Sequence, residues 1–497
     1  GRGFQISYEG NVGFEKMYKR LQMLDATEYV ATAKAMGVHC NNAGYNSDFY
    51  KAITHTGMVN NHYLAFSGGN PQSNYRASFG VMDHNTIIRD KDYGVFVAKI
   101  DVTQKAFNDK LTGDFGVFGS SFKNHDIFDT QMLFYSASCQ NPTYSSVADN
   151  NGNWPKNETA YKINPPVLLL DEKSDSKDLN FDAHIKLSYD FNPYWRISTF
   201  GSYLYGSTEN SQFCPTLVWA QGNVYRGEFK KEEWLGNLSL DFNKKIGVHN
   251  ISAQLSGEYR TLRKTAFWIY AKGITSNVFG YDNLGAASTR PYGGTESTYE
   301  DQSLASVMGS VTYSLKNRYS LSVNARGDGS SMVGDDYTWG FFPSVSLSWD
   351  LKKESFLAHA KHLSLLKLHT GIGQAGNLGG ISAYTTMNTV SQTGIVPVKS
   401  SPTVTLGTVR NNNPDLKWET KTTFNIGADL GFFANRLMLT AEYYYSKTSD
   451  MLYAYEVPVP PFAYNKLLAN IGSMSNRGFE IGFSVQPISK KDMELNV

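Results

Sequence analysis

The chain reads as all-β, and more narrowly as a transmembrane antiparallel β-barrel with short turns at one end and long loops at the other. Apolar and polar residues alternate with a period of two along nearly the whole length, which gives each strand one apolar and one polar face. The alternating runs reach about ten residues, the length of a tilted membrane crossing, whereas soluble strands average about five or six. Short and long connections take turns, as they do in outer-membrane barrels.

The elements follow in order. Phe4, Ile6, Tyr8 and Val12 alternate with Gln5, Ser7, Glu9 and Asn11, an opening strand. Asp25 with Glu28 forms a D-x-x-E capping box that starts a helix through Ala35, which Gly37 can end; Lys352 to Lys361 predicts a second helix. Leu238, Leu240 and Phe242, then Ile251, Ala253, Leu255, Gly257 and Tyr259, make a hairpin around residues 243–250. Val307 to Tyr313 pairs with Tyr319 to Ala325, and Phe424 to Leu430 pairs with Leu437 to Tyr443. Between the hairpins lie polar connections: His125 to Asp178, Ser207 to Glu228, Lys272 to Tyr299 and Asn377 to Asn413. The apolar faces at Ile251, Leu255, Val311, Val323, Phe424 and Ile426 carry no charge, and Tyr259, Tyr443 and Tyr445 suit an interfacial aromatic girdle. Alternation alone fits a soluble sandwich as well; strand length and the turn pattern favour the barrel.

Composition removes other classes. With 46 basic against 45 acidic residues there is no field to attract nucleic acid. Cys40, Cys139 and Cys214 are odd in number and far apart, which argues against a disulfide framework or a C-x-x-C site. No apolar run approaches the roughly 18 to 20 residues of a membrane helix. Gly1-Arg2-Gly3-Phe4 leads straight into alternation, so the start is expected to be an internal point of a longer polypeptide.

Motifs with chemistry are scarce. Gly371, Gly373 and Gly376 have dinucleotide-loop spacing, but Asn377 to Ser382 follows where a helix should begin, and no acidic residue lies between Glu354 and Asp415. No G-x-S-x-G, H-E-x-x-H or phosphate loop occurs. Glu232-Glu233 and Asp335-Asp336 point to opposite faces of extended backbone. His359 and His362 lack a third ligand nearby, and Arg326-Gly327-Asp328 reads as a strand end. Neither catalysis, nor a cofactor, nor a metal site is expected.

Asn413-Pro414-Asp415-Leu416-Lys417-Trp418-Glu419, followed by a strand, resembles the NPDLKWE region of the SusC/RagA family of TonB-dependent outer-membrane transporters. Arg326 to Ser331 with Trp339 to Leu347, Ser67-Gly68-Gly69 with Tyr75 to Ser78, and Thr370 to Asn377 are similar to other blocks of that family, in family order. The glycines of Thr370 to Asn377 are then expected to let a barrel strand reach its rim and bend into a loop.

The resemblance implies import of a glycan or oligopeptide across the bacterial outer membrane. It also implies a SusD-like surface lipoprotein as lid and the TonB–ExbB–ExbD motor acting through an N-terminal region not in this chain. Residues 1–497 would be one part of a single barrel domain. They would hold about sixteen strands and the start of a seventeenth at Met493, out of the 22 of plugged transporters. A passive porin and a soluble glycan-binding protein are the alternatives. Short turns near Asn192, Lys245, Asn317 and Ala434 should face the periplasm. Ordering the long polar loops costs entropy that a core of their own is not expected to offset, so a partner should hold them. Trp154, Tyr161, Trp219 and Tyr225 lie in those connections and are the candidate substrate or partner contacts.

Overall fold

The computed structural model describes all residues except 1–2, 151–153, 155–164, 400, 491–492 and 496–497. Its strands are β1 (Gln5–Glu15), β2 (Gly57–Gly69), β3 (Ser73–Asn85), β4 (Asp92–Ala106), β5 (Leu111–Asp126), β6 (Lys173–Asn192) and β7 (Trp195–Cys214). Then come β8 (Asn223–Ile246), β9 (His249–Ile274), β10 (Ala287–Thr289), β11 (Thr295–Leu315), β12 (Tyr319–Ser330), β13 (Trp339–Asp350) and β14 (Leu363–Asn377). The last are β15 (Val390–Val398), β16 (Ser401–Thr408), β17 (Glu419–Phe432), β18 (Leu437–Glu456), β19 (Lys466–Val485), β20 (Ile488–Lys490) and β21 (Met493–Leu495). Helices α1 (Ala26–Ala35), α2 (Phe49–Ile53), α3 (Thr130–Cys139) and α4 (Pro166–Leu169) sit in the loops.

Seventeen of these strands form one sheet, sixteen long ones and the short β10 beside β9. The long ones make an antiparallel meander in chain order, interrupted only by β10 and by the separate β15–β16 hairpin. Met493, expected to open a further wall strand, instead pairs with Lys490 in the small β20–β21 hairpin. No helix among the described residues is long and apolar enough to cross a membrane.

Every second connection is tight except β13–β14, which runs through residues 351–362. Lys316 and Asn317 (φ 53° and 51°) and Gly247 (φ 58°) take the left-handed backbone that hairpins this short require. These turns share one end of the sheet, and the long connections share the other. Asp25 and Glu28 form the full capping box at the start of α1, as the sequence predicts. The helix expected over 352–361 is instead two 3-10 turns, Leu351–Lys353 and Ser355–Leu357. Lys352 Nζ donates to the carbonyls of Leu357 and Ala360, groups a continuing helix would have used. His362 packs on the Phe433 ring at 5.5 Å and is not posed with His359 as a ligand pair.

The two faces of the sheet are opposite in character. Val311, Val323, Val345, Ile372 and Phe424 are successive cross-strand partners, each between 38% and 49% exposed. One residue along, Ser310, Asn324 and Ser344 form the adjacent row on the other face, where Asn324 bonds Ser310 at 2.6 Å and Ser344 at 3.1 Å. Apolar residues outside and hydrogen-bonded polar residues inside are the reverse of a water-soluble sheet and suit a wall whose outer solvent is lipid.

Aromatic rings mark the edges of that band. Toward the loop end, Tyr203 and Trp234 lie 4.4 Å apart, beside Phe181, with Tyr259 56% exposed on the next strand. Toward the turn end, Trp195 meets Phe242 at 4.7 Å, and Tyr319 meets Trp349 at 6.0 Å. Trp234 and Phe242 are eight positions apart on β8, about 26 Å of strand, or roughly 20 Å of height after tilting. Tyr443 and Tyr445 were expected at strand ends but fall inside the 20-residue β18, because that strand runs well past its membrane portion.

Most of the buried apolar core lies in the loops. One cluster joins Phe49 and Ile53 of α2, Ile88, Leu133 and Ala137 of α3, and Leu169. A second joins Phe213, Val224, Ala271 and Ile274 at the loop-end tips of β7, β8 and β9, and a third joins Val333, Ile381 and Leu416 in the loops. The expectation that the loops hold no core of their own is therefore wrong: α2, α3 and α4 supply apolar faces that the polar average of the segments concealed.

Candidate functional site

The site grows out of the wall. β8 and β9 run 24 and 26 residues, more than twice the length of a crossing. Beyond Trp234 and Tyr259 their outward faces turn to Glu232 and Lys230, and to Arg263, which pairs with Asp301 at 3.2 Å. Charge there marks the end of the apolar band, and the strands continue as a vestibule wall. Much of Ser207 to Glu228, which reads in sequence as loop, is this extension, since β7 and β8 pair as far as Cys214 and Asn223; Lys272 to Tyr299 stays mostly a connection, residues 275–294, with two 3-10 turns and β10. Its strands carry polar residues on both faces, which resembles loop composition.

The motifs noted in the sequence converge at the loop end. Gly376 and Gly340 lack a Cβ where the Phe342 ring lies, and Phe342 meets Trp418 edge-on at 5.6 Å. Trp418 Nε1 donates to the Thr338 carbonyl at 3.4 Å. Leu416 is fully buried, and its carbonyl accepts from Gly334 N–H at 2.8 Å. Asn470 accepts from Lys417 N–H at 3.0 Å and donates to the Lys417 carbonyl at 2.9 Å. Residues 413–419 thus clamp the β14–β17 connection onto the β12–β13 loop. The glycines of β14 do not bend the strand, contrary to expectation: β14 holds regular register with β17 through Asn377, and they make room for neighbours. Arg326 and Asp328 pair on the inner face at 2.8 Å with Ser306, a wall network with no free tripeptide.

Above the second core lies a cavity of about 750 Å³ lined by Asp90, Asp92, Asp126, Asp171, Glu172 and Asp175. Lys91 pairs with Asp126 at 2.8 Å, His125 approaches Asp175 at 3.3 Å, and the Tyr281 hydroxyl donates to Asp175. Burial, and then Asp90, push the Asp171 carboxyl up; burial does the same to Glu172. Cys214 donates its S–H to Glu172 at 3.3 Å, and its thiol is pushed up to about 12 by burial and that carboxylate. No group of three or more His, Cys, Asp or Glu suited to hold a metal occurs among the described residues.

The four candidate contacts separate. Trp154 is half-buried in the β5–β6 loop, and Tyr161 lies outside the described residues. Trp219, 39% exposed, sits in the short β7–β8 turn. Tyr225 belongs to β8 itself, on the inward face, where its ring lies over Gly227: a Cβ there would come within 2.7 Å of the Tyr225 hydroxyl and 3.1 Å of Trp268 Cβ. Phe229 and Trp268 stand beside it with ring centroids 6.3 Å apart and planes at 14°. The sequence reading missed both, although the signal was present: aromatics in the polar phase of β8 and β9.

These features define a class, the wall and loop cap of a receptor-type membrane barrel. A family described as TonB dependent receptor-like, beta-barrel matches residues 101–496, and the chain belongs to it; its members reside in the bacterial outer membrane. The TonB-dependent receptor SusC of Bacteroides thetaiotaomicron is 28% identical over 99% of this chain and 51% of that protein. TonB-dependent receptor P3 of Formosa agariphila is 28% identical over 95% of this chain and 48% of that protein. The chain therefore spans about half the length of these relatives. Its fold matches the solved RagAB peptide transporter with a TM-score of 0.80 at 18% identity, over 99% of this chain and 60% of that one.

Proposed function

We propose that this chain is barrel wall and vestibule of a TonB-dependent importer for a glycan or oligopeptide. A SusD-like lipoprotein closes the vestibule, and TonB–ExbB–ExbD energises transport through a region outside this chain. No bond is made or broken by these residues. Residues 1–497 are one part of a single barrel domain, a reading supported by the greater length of the relatives. The observation that carries the proposal is the polar inner wall continuing far past the apolar band into a vestibule surrounded by loops with their own cores. A passive pore needs neither the extension nor the cap.

Growth on the cognate polymer should stop when TonB is deleted, and the intact transporter, purified in mild detergent, should bring the lipoprotein with it in equal amount. Uptake unaffected by TonB loss, with the barrel recovered alone, would favour a passive porin.

A further inference from the structure

We infer that Tyr225, Phe229 and Trp268 form a stacking subsite for an uncharged sugar ring on the inner wall of the vestibule. The inference rests on the importer reading above and narrows its cargo from glycan or peptide to a neutral glycan.

Position comes first. Phe229 is five positions beyond Trp234 on β8, about 17 Å of strand past the aromatic edge of the lipid band. The rings share the face of Ser239 and Ser256, the polar inner face, where apolar burial against lipid is not the reason for an aromatic. Phe229 stays 39% exposed. The two ring planes are nearly parallel, yet their centroids, 6.3 Å apart, are too distant for the rings to cover each other's faces. A third flat group can lie on them. Tyr225 extends the strip because Gly227 leaves its ring room beside Trp268. Among the described residues neither the Tyr225 hydroxyl nor Trp268 Nε1 makes a hydrogen bond, so each has a donor to offer.

The surroundings choose the ligand. Phe229 and Trp268 border a cavity of about 730 Å³ that also presents Asn180 and Thr298, short side chains that both donate and accept, as sugar hydroxyls do, and Thr208, whose hydroxyl can still accept. Two inward-facing lysines border it, and each is already held by a carboxylate: Lys231 by Glu233 at 3.2 Å and Lys264 by Glu300 at 3.7 Å; Lys230 also borders it, but its side chain is on the outward face, where Glu228 holds it at 2.8 Å. Glu233 also binds Arg260 at 2.9 Å, and Asp178 accepts from Thr208 at 2.5 Å. A uronate, a sulfated sugar or a peptide terminus would find its counter-charge taken. An uncharged pyranose offers a flat C–H face to the rings and hydroxyls to the rim without displacing an ion pair.

The test uses the full transporter with its lipoprotein in detergent, titrated by calorimetry with neutral hexose oligosaccharides of several linkages, with uronate oligosaccharides, and with a mixture of short peptides. At least one neutral series should bind, and Trp268→Ala or Phe229→Ala should weaken it roughly tenfold, while Trp268→Phe keeps most of the affinity. Heat-modifiable migration and lipoprotein recovery must be unchanged. Unaltered sugar affinity in both alanine variants, binding of peptides or uronates alone, or loss of the lipoprotein in place of the sugar each overturns the subsite. TonB dependence of uptake is scored separately: sugar binding with TonB-independent uptake sinks the importer reading alone, and TonB-dependent uptake with unaltered affinity sinks the subsite alone.

Discussion

In the wall, Val323 stands 47% exposed while Asn324, one residue on, turns inward to bond Ser344; in the cap, Leu133 and Leu416 are completely enclosed. The same chain thus folds by opposite rules a few nanometres apart. Lipid is the outer solvent of the wall, so apolar side chains face out and the backbone is satisfied by the strand ladder. Water surrounds the cap, so its helices bury Phe49, Ile53 and Leu133 as any soluble domain would. A single chain-wide hydrophobicity average misjudges both, and the boundary between the two regimes is the ring of Tyr203, Trp234 and Tyr259.

Reversing a wall side chain should do the most damage. Leu255→Lys or Val323→Lys places an ammonium in the apolar band at about 2 to 4 kcal/mol, and folded protein in the outer membrane, followed by heat-modifiable migration, should fall sharply. Asn324→Lys should be milder because its side chain faces the polar interior beside Ser310 and Ser344. Ser256→Lys should fall between, since Ser256 is only 8% exposed and has little room for a longer chain. Equal tolerance at Val323 and Asn324 would overturn the face assignment.

Core truncation in the cap should separate the two regions. Leu133→Ala costs about 2 to 5 kcal/mol of local packing, enough to open a loop cluster to protease, and the wall strands supply none of that core; the Leu416 core, by contrast, also takes Leu452 of β18 and Leu468 of β19. The expected pattern is rapid cleavage within 127–172 for Leu133→Ala, with heat-modifiable migration of the barrel retained. Loss of the barrel together with the loop would mean that wall and cap fold as one unit.

Thiol chemistry sharpens the same contrast and fixes the orientation. Cys139 is exposed at the end of α3, whereas Cys214 is buried with its thiol raised to about 12, so at neutral pH it holds almost no thiolate. A membrane-impermeant maleimide on intact cells should modify Cys139 and spare Cys214 and an introduced Lys245→Cys at the turn end. Labelling at Lys245→Cys with Cys139 protected would place the cap in the periplasm.

The wall was legible in the sequence because a period of two survives in either solvent: the hairpins around 243–250, 316–318 and 431–436 lie where alternation put them. The capping box at Asp25 was legible for the same local reason. The vestibule was not, because past Trp234 both faces of β8 meet water and the hydrophobic contrast that marks a strand disappears. Residues 413–419 were recognisable as a motif, yet their role in clamping two loops depends on Gly334, Phe342 and Asn470, which lie 50 or more residues away or across a strand pair. Phe229 and Trp268 were overlooked because aromatics in a membrane strand invite assignment to the lipid girdle, although the period of two carried on from Ser239 and Ser256 puts them on the inner face.

The smallest expected effect concerns the acidic cavity at the top of the cap. Glu172 is 8% exposed, and burial, with Asp129 adding to it, raises its carboxyl above the ordinary glutamate range of about 4.3. The folded state therefore binds that proton more tightly than the unfolded chain does. Its favourable contribution is complete below the ordinary range and is lost as pH rises through the raised value, so at neutral pH the ionised group burdens the second core. Glu172→Gln removes the charge and keeps an oxygen able to accept from Cys214. Backbone amides of 168–172 and 213–214 should exchange with solvent severalfold more slowly in the variant near neutral pH, and the difference should vanish as pH falls toward the ordinary glutamate range. A difference that grows in acid would mean that the carboxylate, not the acid, is the form this cap is built to hold.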